Sequence, residues 1–241
     1  MIEIQKLSKV YGREFSLQIE KLHISEGESF GLVGNNGAGK TTLFSLILDL
    51  IPPTAGEVQI RRIPVHQSEE WKKFTTAYLD ESFLIQYLTP DEYFDFLAKL
   101  RGVSKAQLNR TLEYFKPFFK GEITGKRKYI RDLSKGNQKK TGIAGVFIGR
   151  PDLILLDEPF ANLDPSSQIL LKRLLNQWRA DNPTTFLISS HNLEHITEVT
   201  DRIVLLHNGR VEKDLPVNES TLKELIDFFS QQIDHEIQDG Y

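Results

Sequence analysis

The stretch Gly34-Asn35-Asn36-Gly37-Ala38-Gly39-Lys40-Thr41 constrains this chain more than any other of its length. Its glycines let backbone N–H groups close around phosphate oxygens without Cβ obstruction, and Lys40 stands where its ammonium reaches the outer phosphates. Thr41 offers a hydroxyl to Mg²⁺, and Thr42 continues into a helix whose positive N-terminal end faces the same anion. Glycine-rich turns followed by Lys-Thr also arise by chance in unrelated loops. Here, however, the run ESFGLVG enters the turn as a buried strand, and LFSLILDLI leaves it as a helix that continues until Pro52-Pro53 stops it. Strand, phosphate loop and helix in that order predict an α/β P-loop NTPase fold with a mainly parallel core sheet. The loop from Gly34 to Thr42 is the expected seat of a magnesium nucleoside triphosphate that the chain hydrolyses.

The run LILLDEP supplies the second half of such a site. Four apolar residues make a buried strand ending in Asp157 and Glu158, whose side chains would point to opposite sides of a continuing strand. Asp157 is assigned to the Mg²⁺ shell and Glu158 to polarisation of the attacking water. An acidic turn after a core strand would need no function by itself. Beside a phosphate loop it acquires one.

The remaining residues arrange themselves around these two segments. With 241 residues, 39% of them hydrophobic, the chain can bury one large core with a smaller appendage, and the whole of 1–241 reads as a single domain. The stretches IEIQ, FSLQIE and LHI, separated by Tyr11-Gly12 and Glu26-Gly27, read as an N-terminal antiparallel β subdomain. Residues from about 84 to 132 read as a helical subdomain insertion. There Thr89-Pro90-Asp91-Glu92 combines an N-cap, a proline at the first helical position and a capping-box acid, opening an aromatic-rich helix to about Leu100. Ser104 with Gln107 repeats the device for a helix that carries Leu108, Leu112 and Phe115 on one face and ends before Pro117. Tyr93, Phe94, Phe96 and Phe118 are expected mostly in that subdomain's core, with some available to line a groove for a partner's helix. After LILLD come a helix opened by Asp164-Pro165, the strand TTFLISS, a short helix, and a hairpin turned by Asn208-Gly209. Residues 214–241 are expected as an amphipathic helical segment that caps the domain through Leu222, Leu225, Ile226 and Phe229.

Thirty Lys and Arg against thirty-three Asp and Glu leave a formal charge of -3, without the strong positive field that drives non-specific nucleic-acid binding. No nucleic-acid partner is expected. The absence of cysteine excludes disulfides and thiolate metal sites. MIEIQKLSKVYGREF lacks the apolar stretch of a signal peptide, and no later run is long and apolar enough to span a bilayer. The expectation is a cytosolic protein that serves a membrane, if at all, through a partner. The run Lys126-Arg127-Lys128, with Arg131, Lys135, Lys139 and Lys140 beyond it, would attract acidic lipid or nucleic acid but reads first as a solvated face, part of it complementing a nearby triphosphate.

Between loop and carboxylates lies Leu133-Ser134-Lys135-Gly136-Asn137-Gln138, followed by a helix to about Ile148. This segment resembles the LSGGQ signature of ATP-binding cassette ATPases, at the spacing before Asp157-Glu158 that those proteins show. The resemblance covers nearly the whole chain, with Tyr11 before the loop, the ANLD segment after the carboxylates and Ser190-His191 ending the next strand. It implies ATP and Mg²⁺ as ligands. It also implies that Tyr11 stacks on adenine, and that Ser134 and Gly136 contact the γ-phosphate held by the other subunit of a dimer. Asp164 would lie in the loop connecting the two sites, and His191 would be the switch histidine at the γ-phosphate. His195, one helical turn further, matches no motif and is left as surface. Two departures stand out. Glu81, in YLDES, occupies the place of the family's usual glutamine and resembles a variant of bacterial exporter subunits; an acid there can approach Mg²⁺ or water, so Glu81 joins the catalytic and metal candidates. Lys135 and Asn137 replace the signature's middle glycine and its glutamine.

By that resemblance the chain is a transport ATPase subunit. Two copies, identical or different, would close on two ATP molecules and move a separate integral membrane permease from the cytoplasmic face. LTPDEYFDFLAKLRGVS looks like the corresponding stretch of bacterial export subunits, which points to export. The alternative is a soluble cassette ATPase acting on ribosomes or DNA, although this chain has one cassette and no sustained heptads. A P-loop GTPase lacks support, since no N-K-x-D segment follows the loop.

Overall fold

The computed structural model describes residues 1–12 and 15–239, with side chains described for all of these except 15 and 233–239. The described strands are β1 (Ile2–Tyr11), β2 (Phe15–Ile24), β3 (Ser29–Val33), β4 (Ala55–Ile60), β5 (Ile63–Pro64), β6 (Thr75–Tyr78), β7 (Leu153–Leu156), β8 (Thr185–Ser190), β9 (Arg202–His207) and β10 (Arg210–Pro216). They form one sheet in the order β5-β4-β1-β2-β10-β9-β3-β8-β7-β6. Its centre is parallel: β3 pairs with β8 and β9, β7 with β8 and β6. Covered on both faces, β3, β7 and β8 are buried along their whole length, which accounts for the uninterrupted apolar run LILL and the mostly apolar SFGLV.

The N-terminal arm is antiparallel, β1 lying between β2 and β4. FSLQIE and LHI belong to one strand rather than two. At Lys6, φ 47°, the burial alternation steps by one residue, so Ile4 and Leu7 of β1 and Ile19 and Leu22 of β2 all face the core. The strand can therefore continue through Glu20 and Lys21. At the other end Asn208 and Gly209, both with positive φ, turn β9 into β10.

The helices are α1 (Lys40–Ile47), α2 (Pro90–Leu100), α3 (Lys105–Phe119), α4 (Lys135–Val146), α5 (Pro165–Asp181), α6 (Leu193–Thr197) and α7 (Thr221–Asp239). Helix α1 stops well before Pro52. Asp49 takes a left-handed φ of 53°, and the Asp49 and Leu50 N–H groups donate to Leu46 O and Ser45 O at 3.2 and 2.8 Å, a Schellman-type ending that needs no proline. Both capping boxes form as read, Thr89 with Glu92 and Ser104 with Gln107. Helix α3 runs through Pro117 to Phe119 instead of ending before it. The reason is aromatic burial, because Phe115, Phe118 and Phe119 are all removed from water and stopping the helix early would expose two of them. Phe94 stacks on Phe119 at 5.9 Å, and Phe115 meets Phe147 beyond α4 at 4.9 Å, so the insertion shares its core with the central sheet. Phe96 departs from the expected core and is exposed.

Residues 214–216 belong to β10, and the C-terminal helix starts only at Thr221; residues 240–241 of the expected segment lie outside the described residues. Leu225 is buried, and Phe228 and Phe229 pack on the core, while Ile226 faces outward. No helix among the described residues is long and apolar enough to cross a membrane.

Candidate nucleotide site

Parallel strands bring their C-terminal ends to one edge of a sheet, and here β3, β7 and β8 deliver the phosphate loop, the acid pair and His191 to the same place. Gly34 opens the loop where a Cβ would lie 2.3 Å from Leu206 O, so only glycine fits. Gly39, φ 109°, then turns the chain into α1. Ala38 is buried beneath the loop, its N–H donating to Asn35 O and its carbonyl accepting from Gly209 N–H, both at 3.1 Å. Lys40 is also buried. Its Nζ donates to Gly34 O at 2.7 Å and lies 3.4 Å from Glu158 Oε1. Tyr11, Glu158 and the loop from Asn35 to Thr42, Ala38 excepted, line one open cavity of about 470 Å³. Lys9 Nζ lies 5.3 Å from the centre of the Tyr11 ring.

The acid pair is turned differently from the expected strand geometry. β7 ends at Leu156, Asp157 N–H donates to Tyr78 O at 2.8 Å, and Glu158 takes a left-handed φ of 46°. That rotation brings both carboxylates toward the phosphate loop instead of to opposite sides. Asp157 Oδ2 accepts from Thr41 Oγ1 at 2.6 Å, and its other oxygen accepts from Ser189 Oγ. Burial raises the Asp157 pKa, and the two hydroxyl donors oppose that shift. Glu158 Oε2 lies 2.9 Å from His191 Nδ1. A hydroxyl and a carboxylate held side by side are hard oxygen donors of the kind Mg²⁺ takes beside substrate phosphates, so Thr41 and Asp157 fit that ion. Ser189, which the sequence did not single out, also accepts the Glu158 N–H at 2.9 Å. Only the register that sets β8 beside β7 reveals it.

Glu81 is held elsewhere. Its Oε1 accepts from Tyr78 OH at 2.8 Å and lies 3.9 Å from Lys139 Nζ, and neither partner belongs to the phosphate loop. Lys139 and Lys140, expected on a solvated face, are both buried. Lys139 is drawn inward by acceptors, and Lys140 lies over the Phe118 ring at 5.6 Å. His195, read as surface, is half-buried: its ring lies 5.0 Å from Phe160, and its Nδ1 is buried without a hydrogen-bond partner among the described residues.

Ser134 N-caps α4, accepting from Asn137 N–H at 3.3 Å, and is exposed. A Cβ on Gly136 would lie 3.3 Å from Asn162 O, so the signature-like segment rests against the ANLD turn. Neither Ser134 nor Gly136 lines the cavity around Lys40. Asp164 caps α5 through Ser167 N–H at 3.1 Å and binds Lys120 Nζ at 2.9 Å. Hydrogen bonds from Ser166, Ser167 and Lys120 hold its carboxyl well below the usual carboxylate range.

A parallel sheet ending in a glycine loop, a buried lysine and a paired threonine and aspartate define a P-loop nucleotide-binding domain. Residues 17–161 match the family model described as ABC transporter. The bacitracin transport ATP-binding protein BcrA of Enterococcus faecalis is 34% identical over 226 residues, covering 91% of this chain and 70% of that protein. The molybdate/tungstate import ATP-binding protein WtpC of Pyrococcus horikoshii is 30% identical over 212 residues, 88% of this chain and 61% of its own length. Among solved structures, the ATP-binding cassette MJ0796, dimeric in a post-hydrolysis state with ADP and Pi, superimposes with a TM-score of 0.80 at 25% identity, over 90% of this chain and 99% of that one. The chain belongs to the ABC transporter family, as an ATP-binding subunit with ATPase activity.

Proposed function

We propose that this subunit closes as a dimer on two ATP molecules and that closure drives a separate membrane-spanning partner in the direction of export. Lys40 holds the β and γ phosphates, and Thr41 and Asp157 hold Mg²⁺, which when bound offsets phosphate charge. Glu158 polarises the attacking water, and His191, bonded to its carboxylate, orients it toward the γ-phosphate. Tyr11 stacks on the adenine. Ser134 and Gly136 meet the γ-phosphate bound by the other subunit, and Asp164 lies in the loop that connects the two sites. Glu81 acts on water or metal only after leaving Tyr78.

The observation that carries the coupling is the surface just beyond Glu81. Phe83 and Tyr87 are 60% and 70% exposed, and the Arg131 guanidinium lies over the Tyr87 and Tyr129 rings at 4.8 and 5.3 Å. Ile130 and Arg131 N–H groups donate to Leu88 O and Gln86 O at 2.8 and 3.2 Å, which ties the patch into one surface of the insertion. A partner helix seated there presses on the segment that bears Glu81. Support for export comes from Glu81 and the LTPDEYFDFLAKLRGVS stretch, which resemble those of bacterial export subunits, while the named relatives serve both bacitracin transport and molybdate/tungstate import.

The test is co-expression with a multi-spanning protein, sought first in the reading frames that adjoin this one. The chain should be retained on membranes only when that protein is present, and ATP should drive cargo into inside-out vesicles. Tyr87→Asp should lose retention while keeping its basal ATPase rate. Retention on ribosomes or DNA instead would favour a soluble cassette ATPase.

A further inference from the structure

Lys139 lies one turn into α4 and is only 5% exposed. A buried ammonium is costly unless its donors are used. Its Nζ donates to the main-chain oxygen of Glu158 at 2.9 Å, lies 3.9 Å from Glu81 Oε1, and stands 5.8 Å from the centre of the Tyr78 ring. Burial pushes its pKa down, against the pull of Glu81 and Glu158.

The peptide that receives this bond is an unusual one. Glu158 has φ 46°, a region that non-glycine residues seldom adopt without support from their surroundings. Ser189 Oγ accepts its N–H at 2.9 Å and Lys139 donates to its carbonyl, so the residue is held on both sides. The direction of its carboxylate, toward Lys40 and His191, follows from that turn.

We propose that Lys139 is a positioning residue for ATP hydrolysis: its bond to the Glu158 carbonyl fixes the left-handed turn that aims the Glu158 carboxylate, with Glu81 as its counter-ion. The proposal rests on Glu158 being the carboxylate that polarises water. Tyr78 keeps Glu81 in reach through its 2.8 Å hydrogen bond, and α4 lies so close to the Tyr78 ring that a Cβ on Gly142 would come within 2.4 Å of it. The same helix begins at Ser134, so a shift of its exposed end reaches the chain's own Glu158 through Lys139.

Lys139→Met, Lys139→Gln, Lys139→Arg, Glu158→Gln and the double variant Lys139→Met/Glu158→Gln are compared by steady-state ATPase assay, nucleotide titration and thermal melting. Lys139→Met should lower kcat by about ten- to a hundredfold, the loss expected for one charge-assisted hydrogen bond, with KM and nucleotide affinity changed less than about twofold. Lys139→Arg should recover most of the rate, and Lys139→Gln, which keeps a donor but no charge, should fall between. Because Lys139 acts through Glu158, the double variant should be no slower than Glu158→Gln alone. Wild-type kcat in Lys139→Met overturns the proposal. So does a loss of kcat that comes with a raised KM and lower melting temperature and that arginine does not repair, since that is damage to the fold. Should Lys139→Met not fold, Lys139→Gln carries the same comparison. Normal turnover by Glu158→Gln would instead remove the underlying assignment, an outcome distinct from a silent Lys139→Met beside an inactive Glu158→Gln.

Discussion

At the scale of single residues, Lys40 shows how much the loop has prepared in advance. Its ammonium is buried at 2.7 Å from one loop carbonyl and 3.4 Å from Glu158, so the charge is already oriented where phosphate oxygens would displace those acceptors. Lys40→Ala removes the side-chain cation that the loop supplies. Affinity for ATP, measured by isothermal titration, should fall at least about a hundredfold, equivalent to about 2.7 kcal/mol, and unchanged affinity would defeat the phosphate-loop assignment. Lys40, Thr41, Asp157 and Glu158 were legible because glycine spacing and an apolar run ending in two acids are patterns of adjacent residues. The direction of Glu158 was not, since it depends on a backbone turn supported by Ser189 and Lys139 from distant segments. Lys139 was hidden for a related reason. In sequence it is one of several basic residues, and only the approach of α4 to Tyr78 and Glu158 separates it from the solvated ones.

Among the elements, local signals were reliable where the chemistry is local. Thr89 with Glu92 and Ser104 with Gln107 satisfy orphan N–H groups within one helical turn, so their helices begin where the residues say. Helix ends follow tertiary packing more closely. Pro117 has no N–H to give the Glu113 carbonyl, yet α3 continues because Phe118 and Phe119 gain burial beyond it. Pro117 itself is exposed, so an alanine there loses no packing. Pro117→Ala should therefore raise stability in urea unfolding by about 1–2 kcal/mol, the helical penalty of proline less the entropy it removes from the unfolded chain. A less stable variant would mean that the proline shapes a bend the insertion requires.

For the whole molecule, strand order was the least legible feature: nothing in SFGLV states that it lies between β8 and β9, and it is this order that brings the loop, the acids and His191 to one edge. The same scale decides whether one chain suffices. Ser134 sits exposed at the start of α4 and does not line the cavity around Lys40, while its helix end is suited to an anion. If a second copy brings that end to the phosphate, each site takes Lys40 from one chain and Ser134 from the other. Lys40→Ala and Ser134→Arg homodimers then each carry two damaged sites, whereas a mixed dimer has one site damaged twice and one intact. Mixing two inactive variants should restore ATP cleavage, read as single turnover so that one site acting alone is detected, with cross-linking to establish that mixed dimers form. A site completed within each chain predicts no rescue, because every chain in the mixture carries a lesion in its own site. Mixed dimers that form and cleave no ATP would leave Ser134 without a part in the chemistry, and the closing dimer without its mechanical reason.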